Sequence, residues 1–148
     1  MQVSVLSDVE KAKIESEVKA AVDTVIAGCE TLDMEMAFAP FLDAPEFRMM
    51  RADGSLCDYG TYIKENVDYL STCASFDLTT VQTEIKVLSA DLAIFSWVYN
   101  VVATLKNGEQ DVFDSAGASF VFKKMDGAWK VIYYQESTQP PSHIPNSD

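Results

Sequence analysis

A chain of 148 residues is long enough for one domain that buries most of its apolar surface. Its hydrophobic content of 48% is too high for intrinsic disorder. The formal net charge of −12 argues against nucleic acid and against an anionic membrane surface, because both attract positively charged proteins. We therefore expect one globular domain that binds neither.

The three cysteines, Cys29, Cys57 and Cys73, are an odd number without the spacing of a metal site. They predict reduced thiols that pack in the interior, and hence a cytoplasmic location. The first residues, MQVSVLSDVE, lack the basic region and the long apolar run of a signal peptide. No stretch approaches the length of a membrane span, so no membrane association is expected.

Three stretches predict helices, all in the first half of the chain. Ser7 followed by Glu10 is the pattern of a capping box, and apolar residues at helical spacing extend this helix to about Leu32. The segment DMEMAFAPF predicts a short second helix that is stopped by Pro40. The range 59–72 predicts a third helix by the same spacing of apolar residues.

The remaining segments predict strands and turns. A short strand at 46–50, followed by the turn signal RADGSLC, predicts a hairpin. Beyond residue 72 the apolar period changes to two, as in VQTEIKV, whereas LAIFSWVYNVVATL is apolar on both faces. The Asn-Gly pair at 107–108 and the Asp-Gly pair at 126–127 predict hairpin turns. Gly117 predicts a β-bulge or a bend, and 140–148 a flexible tail.

Helices followed by a meander of long strands are typical of an α+β domain, with the helices packed on one face of a curved sheet. A strand that is apolar on both faces needs cover on both sides, and the helices supply only one. Because monomers rarely expose large apolar patches, we expect a homodimer through the outer face of the sheet.

Four segments resemble the nuclear transport factor 2-like superfamily, in particular its SnoaL-like and ketosteroid isomerase-like branch. They are the long N-terminal helix, EFRMMRADGSLCDYGTYIKENV, the paired strands around KNGEQD, and KKMDGAWKVIYYQEST. The resemblance covers about Ser7 to Gln139, so 1–148 would be a single SnoaL-like domain. It implies a cone-shaped, curved antiparallel sheet with three helices packed on its concave face, a cystatin-like roll around a cavity.

The resemblance also implies which side chains face the cavity. In the last strand, alternation gives Lys130, Ile132, Tyr134 and Glu136. In the two strands before it, the matching positions are Trp97, Tyr99, Ala118 and Phe120. Tyr62, near the start of the third helix, is expected near the cavity entrance.

The sequence departs from its relatives in three ways. Ketosteroid isomerase-like members carry a carboxylate base where this chain has Arg51. The calmodulin-dependent kinase association domain, another relative, has arginines at the positions of Tyr99, Phe120 and Glu136, so an anionic ligand held in that manner is not expected. Dehydratase-like members use a His-Asp pair, and the single histidine here is His143, in the tail.

The candidate catalytic residues are Glu136, Tyr99 and Tyr134. A carboxyl group among aromatic rings has a raised pKa and can act as an acid or base near neutral pH, and a tyrosine hydroxyl can polarise a carbonyl. In the alternative interpretation Glu136 is solvated and pairs with Arg51 or Lys130, and the tyrosines only fill the core. The candidate ligand-binding residues are Trp97, Phe120, Ile132, Ala118, Arg51 and Tyr62.

No nucleophilic triad, phosphate loop or metal-binding set is recognisable, so no cofactor or metal is expected. Three functions remain open. The first is the binding of a small apolar or amphipathic molecule in the cavity. The second is a cofactor-free isomerase, lyase or cyclase that uses Glu136 and a tyrosine. The third is a non-catalytic dimerisation or scaffold domain.

Overall fold

The computed structural model describes residues 5–146. It contains three helices packed with a curved, unclosed mixed sheet. The helices are α1 (Asp8–Thr31), α2 (Met34–Phe38) and α3 (Tyr59–Leu70). The strands are β1 (Arg48–Met50), β2 (Leu56–Cys57), β3 (Cys73–Ser89), β4 (Leu92–Leu105), β5 (Gln110–Met125), β6 (Ala128–Ser137) and β7 (Ser142–Ile144). The predicted α+β class is confirmed.

Helix α1 begins with the capping box that the sequence predicts. The Glu10 amide donates to the Ser7 hydroxyl at 3.1 Å, and the Ser7 amide donates to the Glu10 carboxylate at 3.1 Å. The helix buries Ile14, Val18, Val22 and Val25 along one stripe. These side chains form the roof over the curved sheet.

Gly28 explains how α1 and α2 approach each other. A side chain at this position would overlap the backbone nitrogen and Cα of Ala37 in α2. Glycine therefore allows the two helix backbones to touch, although it lowers helix propensity. This contact fixes α2, and the following Phe41, over the sheet.

The strands lie in the order β2-β1-β6-β5-β4-β3, and β7 pairs with the first residues of β5. All pairs are antiparallel except β1 with β6, which run parallel. The sheet is therefore mixed rather than wholly antiparallel. The hairpin predicted around RADGSLC is confirmed, with Met49 opposite Cys57.

Five register shifts interrupt the strand pairing in the described residues, and two of them lie at the ends of β3. The other three are β-bulges at Val81 in β3, at Asp114–Ser115 in β5, and at Ile132 in β6, and they decide which side chains face the helices. At each bulge, the residues that face the helices change from odd to even positions in the sequence, or from even to odd. The bulge predicted at Gly117 is wrong: Gly117 pairs regularly with Val98.

The bulge in β5 is held by a specific contact. Ser115 adopts a left-handed conformation with a φ of 57°, and its amide donates to the Asn100 side chain at 2.8 Å. As a result Ala116 is buried whereas Asp114 is exposed. Asp114 is therefore turned away from the interior.

The C-terminal segment folds back on the sheet. Ser142–Ile144 pairs with Gln110–Val112 along the edge of β5 that β6 leaves free. This differs from the flexible tail expected from the sequence, because a backbone ladder extends into it. None of the helices within residues 5–146 combines the length and the apolar composition that a membrane span requires.

Candidate functional site

A cavity of about 170 Å³ lies between the helices and the inward face of β3, β4, β5 and β6. The largest group of lining residues is aromatic: Phe38, Phe41, Tyr62, Tyr69, Phe76, Trp97, Tyr99, Phe113 and Tyr134. The aliphatic and small members are Val25, Cys29, Leu70, Leu78, Val101 and Ala116. The remaining polar members are Asn66, Glu136 and Thr138.

Glu136 is the ionisable carboxyl group of this wall. It follows Tyr134 by two residues, so both side chains leave β6 on the inward face. The Tyr134 hydroxyl donates to Oε1 of Glu136 at 2.8 Å. Part of the Glu136 surface stays accessible because it faces the cavity, yet protein atoms surround it closely, and this burial raises its pKa. The Tyr134 hydrogen bond opposes the shift without cancelling it.

The groups around Glu136 are also strongly perturbed. Burial, and then the charge of Glu136, raise the pKa of the hydroxyls of Tyr62, Tyr99 and Tyr134. The same two causes raise the pKa of the Cys29 thiol to about 12. These four groups are therefore neutral across the physiological range, and all can donate hydrogen bonds.

The aromatic rings form one connected wall. Trp97 and Tyr99 stack with ring centroids 3.9 Å apart. Tyr134 contacts Tyr62 at 5.6 Å and Phe41 at 5.5 Å, measured between centroids. The Trp97 indole donates to the Thr80 hydroxyl at 3.0 Å, which fixes its ring plane. Such mutual packing holds the wall rigid around the space.

Five predicted site residues meet at this cavity: Glu136, Tyr99, Tyr134, Trp97 and Tyr62. Tyr62 is only 4% exposed and belongs to the wall. Its position in α3, directly above β6, follows from the Asp58 cap, whose carboxylate accepts from the Thr61 amide at 2.9 Å.

Ile132, Ala118 and Phe120 are not in the cavity lining. Ile132 is the bulge residue of β6, so the alternation expected from Lys130 to Glu136 breaks there, and Trp129 and Val131 are buried instead. Ala118 pairs with Trp97 on the inward face and is 6% exposed, whereas its neighbours Gly117 and Ser119 line a groove on the outer sheet face. Phe120 packs against the aromatic wall, with its ring centroid 4.8 Å from that of Tyr134.

Arg51 does not reach the cavity either. Its guanidinium binds the Glu65 carboxylate and donates to the Ser55 hydroxyl at 3.0 Å. Lys130 donates to the Ala39 carbonyl at 3.0 Å. The alternative in which Glu136 pairs with one of these two cations is therefore wrong.

Sequence reasoning missed several lining residues, of which Asn66 and Cys29 matter most for chemistry. Asn66 donates to the Tyr62 carbonyl at 2.8 Å, which leaves its side-chain oxygen as an acceptor. Cys29 lies one turn beyond the buried Val25 on α1. The sequence predicted that Cys29 packs in the interior, but it gave no signal for Asn66 and none that either residue borders a void.

A second polar cluster lies outside the cavity, where β7 meets β5. His143 contacts the Asp111 carboxylate through Nδ1 at 2.8 Å and the Glu109 carboxylate through Nε2 at 2.9 Å. The Tyr69 hydroxyl donates to the other Asp111 oxygen at 2.7 Å. No group of three or more His, Cys, Asp or Glu side chains within residues 5–146 is arranged to hold a metal ion.

The cavity can therefore bind a small molecule by shape and can exchange a proton with it. A carboxyl group with a raised pKa serves as acid or base near neutral pH. The hydroxyls of Tyr62 and Tyr99 supply further donors on the same wall. No other Asp or Glu, and no Lys, Arg or His, is among the described residues of the lining.

Solved structures of low sequence identity share this fold and define it as that of the nuclear transport factor 2-like proteins. Hexachlorocyclohexane dehydrochlorinase LinA-type3 from Novosphingobium barchaimii aligns with a TM-score of 0.75 and 10% identity, over 95% of this chain and 96% of that one. A nuclear transport factor 2-like protein of unknown function from Pseudomonas putida aligns with a TM-score of 0.69 and 16% identity, over 85% and 87%. The fold implied by the sequence resemblance is confirmed.

A more specific assignment comes from the sequence itself. Residues 15–140 match the model of the calcium/calmodulin dependent protein kinase II association domain, and the chain belongs to that family. A Xanthomonas campestris protein proposed to be such a domain aligns with a TM-score of 0.67 and 24% identity, over 84% of this chain and 86% of that one. A search of curated proteins gave no significant match.

Proposed function

We propose that this domain binds a small, mostly apolar or amphipathic molecule in the cavity beside Glu136. The observation that carries the proposal is an aromatic cavity with one carboxyl group, held by Tyr134, in its wall. Ligand sites typically have this composition, an apolar lining with a few polar groups that orient the ligand.

The volume limits the size of the ligand. At about 170 Å³, the space is close to an engineered apolar cavity of about 150 Å³ that binds benzene. A single-ring molecule fits this space, whereas a steroid does not. Its polar group would lie against Glu136 and the hydroxyl of Tyr99, which both border the space.

Saturation-transfer NMR with three single-ring probes, benzyl alcohol, benzylamine and benzoate, tests this function. The cavity-filling variant Ala116→Leu should abolish binding, because Ala116 borders the space and is 1% exposed. Ala74→Leu, an equal change at an exposed position of β3, is the matched control and should bind as the wild type does. Equal binding to both variants, or no binding of any probe at millimolar concentration, would refute the proposal.

Self-association through the outer sheet face is a second candidate. The family is named for association, and the outer face carries a groove lined mainly by small residues of β4, β5 and β6 around Val98, which is 38% exposed. Small side chains let a second sheet approach closely, and Val98 supplies apolar area. We propose a homodimer in which two copies pack these faces together.

Size-exclusion chromatography with light scattering tests the dimer. Val98→Lys should shift the population to monomer, because it places a charge in the centre of the interface. Val9→Lys is the control, since Val9 is exposed on α1, which packs on the opposite face of the sheet. A wild-type monomer at micromolar concentration would refute this assembly.

The three free cysteines support a cytoplasmic location, which we also propose. Cys57 and Cys73 are buried and Cys29 borders the cavity, so each thiol has a packing role without a disulfide partner. Fluorescence microscopy of the tagged protein in its native host tests the location.

A further inference from the structure

We propose that the ligand of the cavity is a small organic cation, a single-ring amine whose ammonium group pairs with Glu136. This inference rests on the proposed ligand-binding function and specifies the chemical class of the ligand. It is carried by the charges and the aromatic residues that border the space.

The first argument is that the Glu136 carboxyl group makes no ion pair within the described residues. The contact that its carboxyl group makes in the described structure is the hydrogen bond from Tyr134, a neutral donor. The two cations that the sequence suggested as partners are engaged elsewhere, Arg51 with Glu65 and Lys130 with the Ala39 carbonyl. Carboxylates enclosed by protein are ordinarily paired with a positive charge, and a bound ammonium group would provide it.

The second argument is the aromatic composition of the wall. An aromatic ring carries negative charge on its face and attracts cations that lie over it, tryptophan most strongly. Trp97, Tyr99 and Tyr134 surround the same space that Glu136 faces. A ring with an aminomethyl group can stack against one side chain and direct its nitrogen to the carboxylate.

The third argument is the surplus of acceptors. An ammonium group donates up to three hydrogen bonds and accepts none. Glu136 offers its second oxygen, and the Asn66 amide, which donates to the Tyr62 carbonyl, offers its own oxygen from the same lining. A carboxylate ligand would instead meet Glu136 as a like charge. The net charge of −12 also attracts cations and repels anions over the whole surface.

The test compares benzylamine, benzyl alcohol and benzoate, which share one ring and differ in charge, by calorimetry at neutral pH. We expect benzylamine to bind at least about tenfold more tightly than benzyl alcohol, and benzoate more weakly than both. Glu136→Gln should remove most of the preference for benzylamine while it preserves the shape of the site. Trp97→Phe should reduce the same preference in part, since phenylalanine attracts cations less strongly.

Glu84→Gln, on the exposed face of β3, is the matched control and should retain the wild-type order. Equal or tighter binding of benzyl alcohol to the wild type would overturn the cation proposal and leave ligand binding intact. A preference for benzylamine that survives Glu136→Gln in a folded protein would also overturn it. Failure of all three probes to bind would instead overturn the proposed function itself.

Discussion

The Tyr134 hydroxyl and the Glu136 carboxyl group are joined by a 2.8 Å hydrogen bond on the inward face of a single strand. The bond replaces part of the hydration that Glu136 loses when the sheet closes over it. Burial nevertheless has the larger effect, so the pKa of Glu136 stays raised. The site therefore combines a carboxyl group whose pKa is raised by burial with a neighbour that stabilises its charged form.

Replacement of Tyr134 by phenylalanine should raise the pKa of Glu136 further, because the hydrogen bond that lowers it is lost. Carbon-13 NMR titration of the glutamate side-chain carboxyl signals would measure the change. Tyr133→Phe is the matched control on the next residue of β6, which follows the bulge and points away from Glu136. An unchanged or lowered pKa in Tyr134→Phe would contradict the assigned hydrogen bond.

The raised pKa also predicts how stability depends on pH. A carboxyl group whose folded pKa lies above its unfolded value of 4.5 binds protons more tightly in the folded protein. Its favourable contribution is complete below pH 4.5 and is lost as the pH rises through the folded pKa. The free energy of unfolding of the wild type, minus that of Glu136→Gln, should therefore decrease as the pH rises from 4.5 through the folded pKa of Glu136. Urea denaturation at a series of pH values measures this difference, with Glu84→Gln as the control. A difference that does not change with pH would contradict the burial of Glu136.

The fold was predictable from the sequence because its signals are local. The capping box at Ser7, the change of apolar period after residue 72, and the Gly-containing turns each depend on adjacent residues. The resemblance to the nuclear transport factor 2-like superfamily implied that Trp97, Tyr99, Tyr134 and Glu136 face the interior, and alternation gave consistent positions only between bulges.

The parts that could not be predicted depend on long-range pairing. Ile132 becomes an unpaired extra residue only because Val131 and Tyr133 pair with consecutive residues of β5. The bulge near Gly117 likewise falls at Asp114–Ser115, where Asn100 on the neighbouring strand supplies a hydrogen bond. Whether the aromatic side chains fill the interior or leave a void depends on their directions, and alternation does not determine these.

The contact of α1 with α2 gives a prediction with opposite outcomes at two helical glycines. Gly28→Ala should destabilise the protein by about 1–3 kcal/mol, because the added methyl group overlaps the Ala37 backbone, which cannot move aside as a side chain can. Gly60→Ala in α3 should instead be neutral or stabilise by up to about 1 kcal/mol, since the nearest atom is 4.0 Å away. Thermal and urea unfolding of both variants measure the contrast. Equal effects would contradict the close approach of the two helices.

The attachment of β7 to β5 should weaken as the pH rises. Hydrogen bonding to Asp111, and then the charge of Glu109, raise the pKa of His143 above its ordinary value of 6.5. The protonated imidazole lies between these two carboxylates, and Asp111 is held in turn by Tyr69. The stabilisation is therefore complete below pH 6.5 and is lost as the pH rises through the folded pKa.

Hydrogen exchange, corrected for the intrinsic effect of pH, measures this attachment. Protection of the Ser142–Ile144 segment should decrease between pH 6 and 9, whereas the β1–β2 hairpin, which contains no histidine, serves as an internal reference. His143→Gln should show low protection with little pH dependence, because it cannot carry the positive charge that attracts both carboxylates. At the acid end a second loss is expected, since the pKa of Asp111 is lowered and its protonation removes the partner of His143. Constant protection across the series in the wild type would show that the backbone ladder alone holds β7.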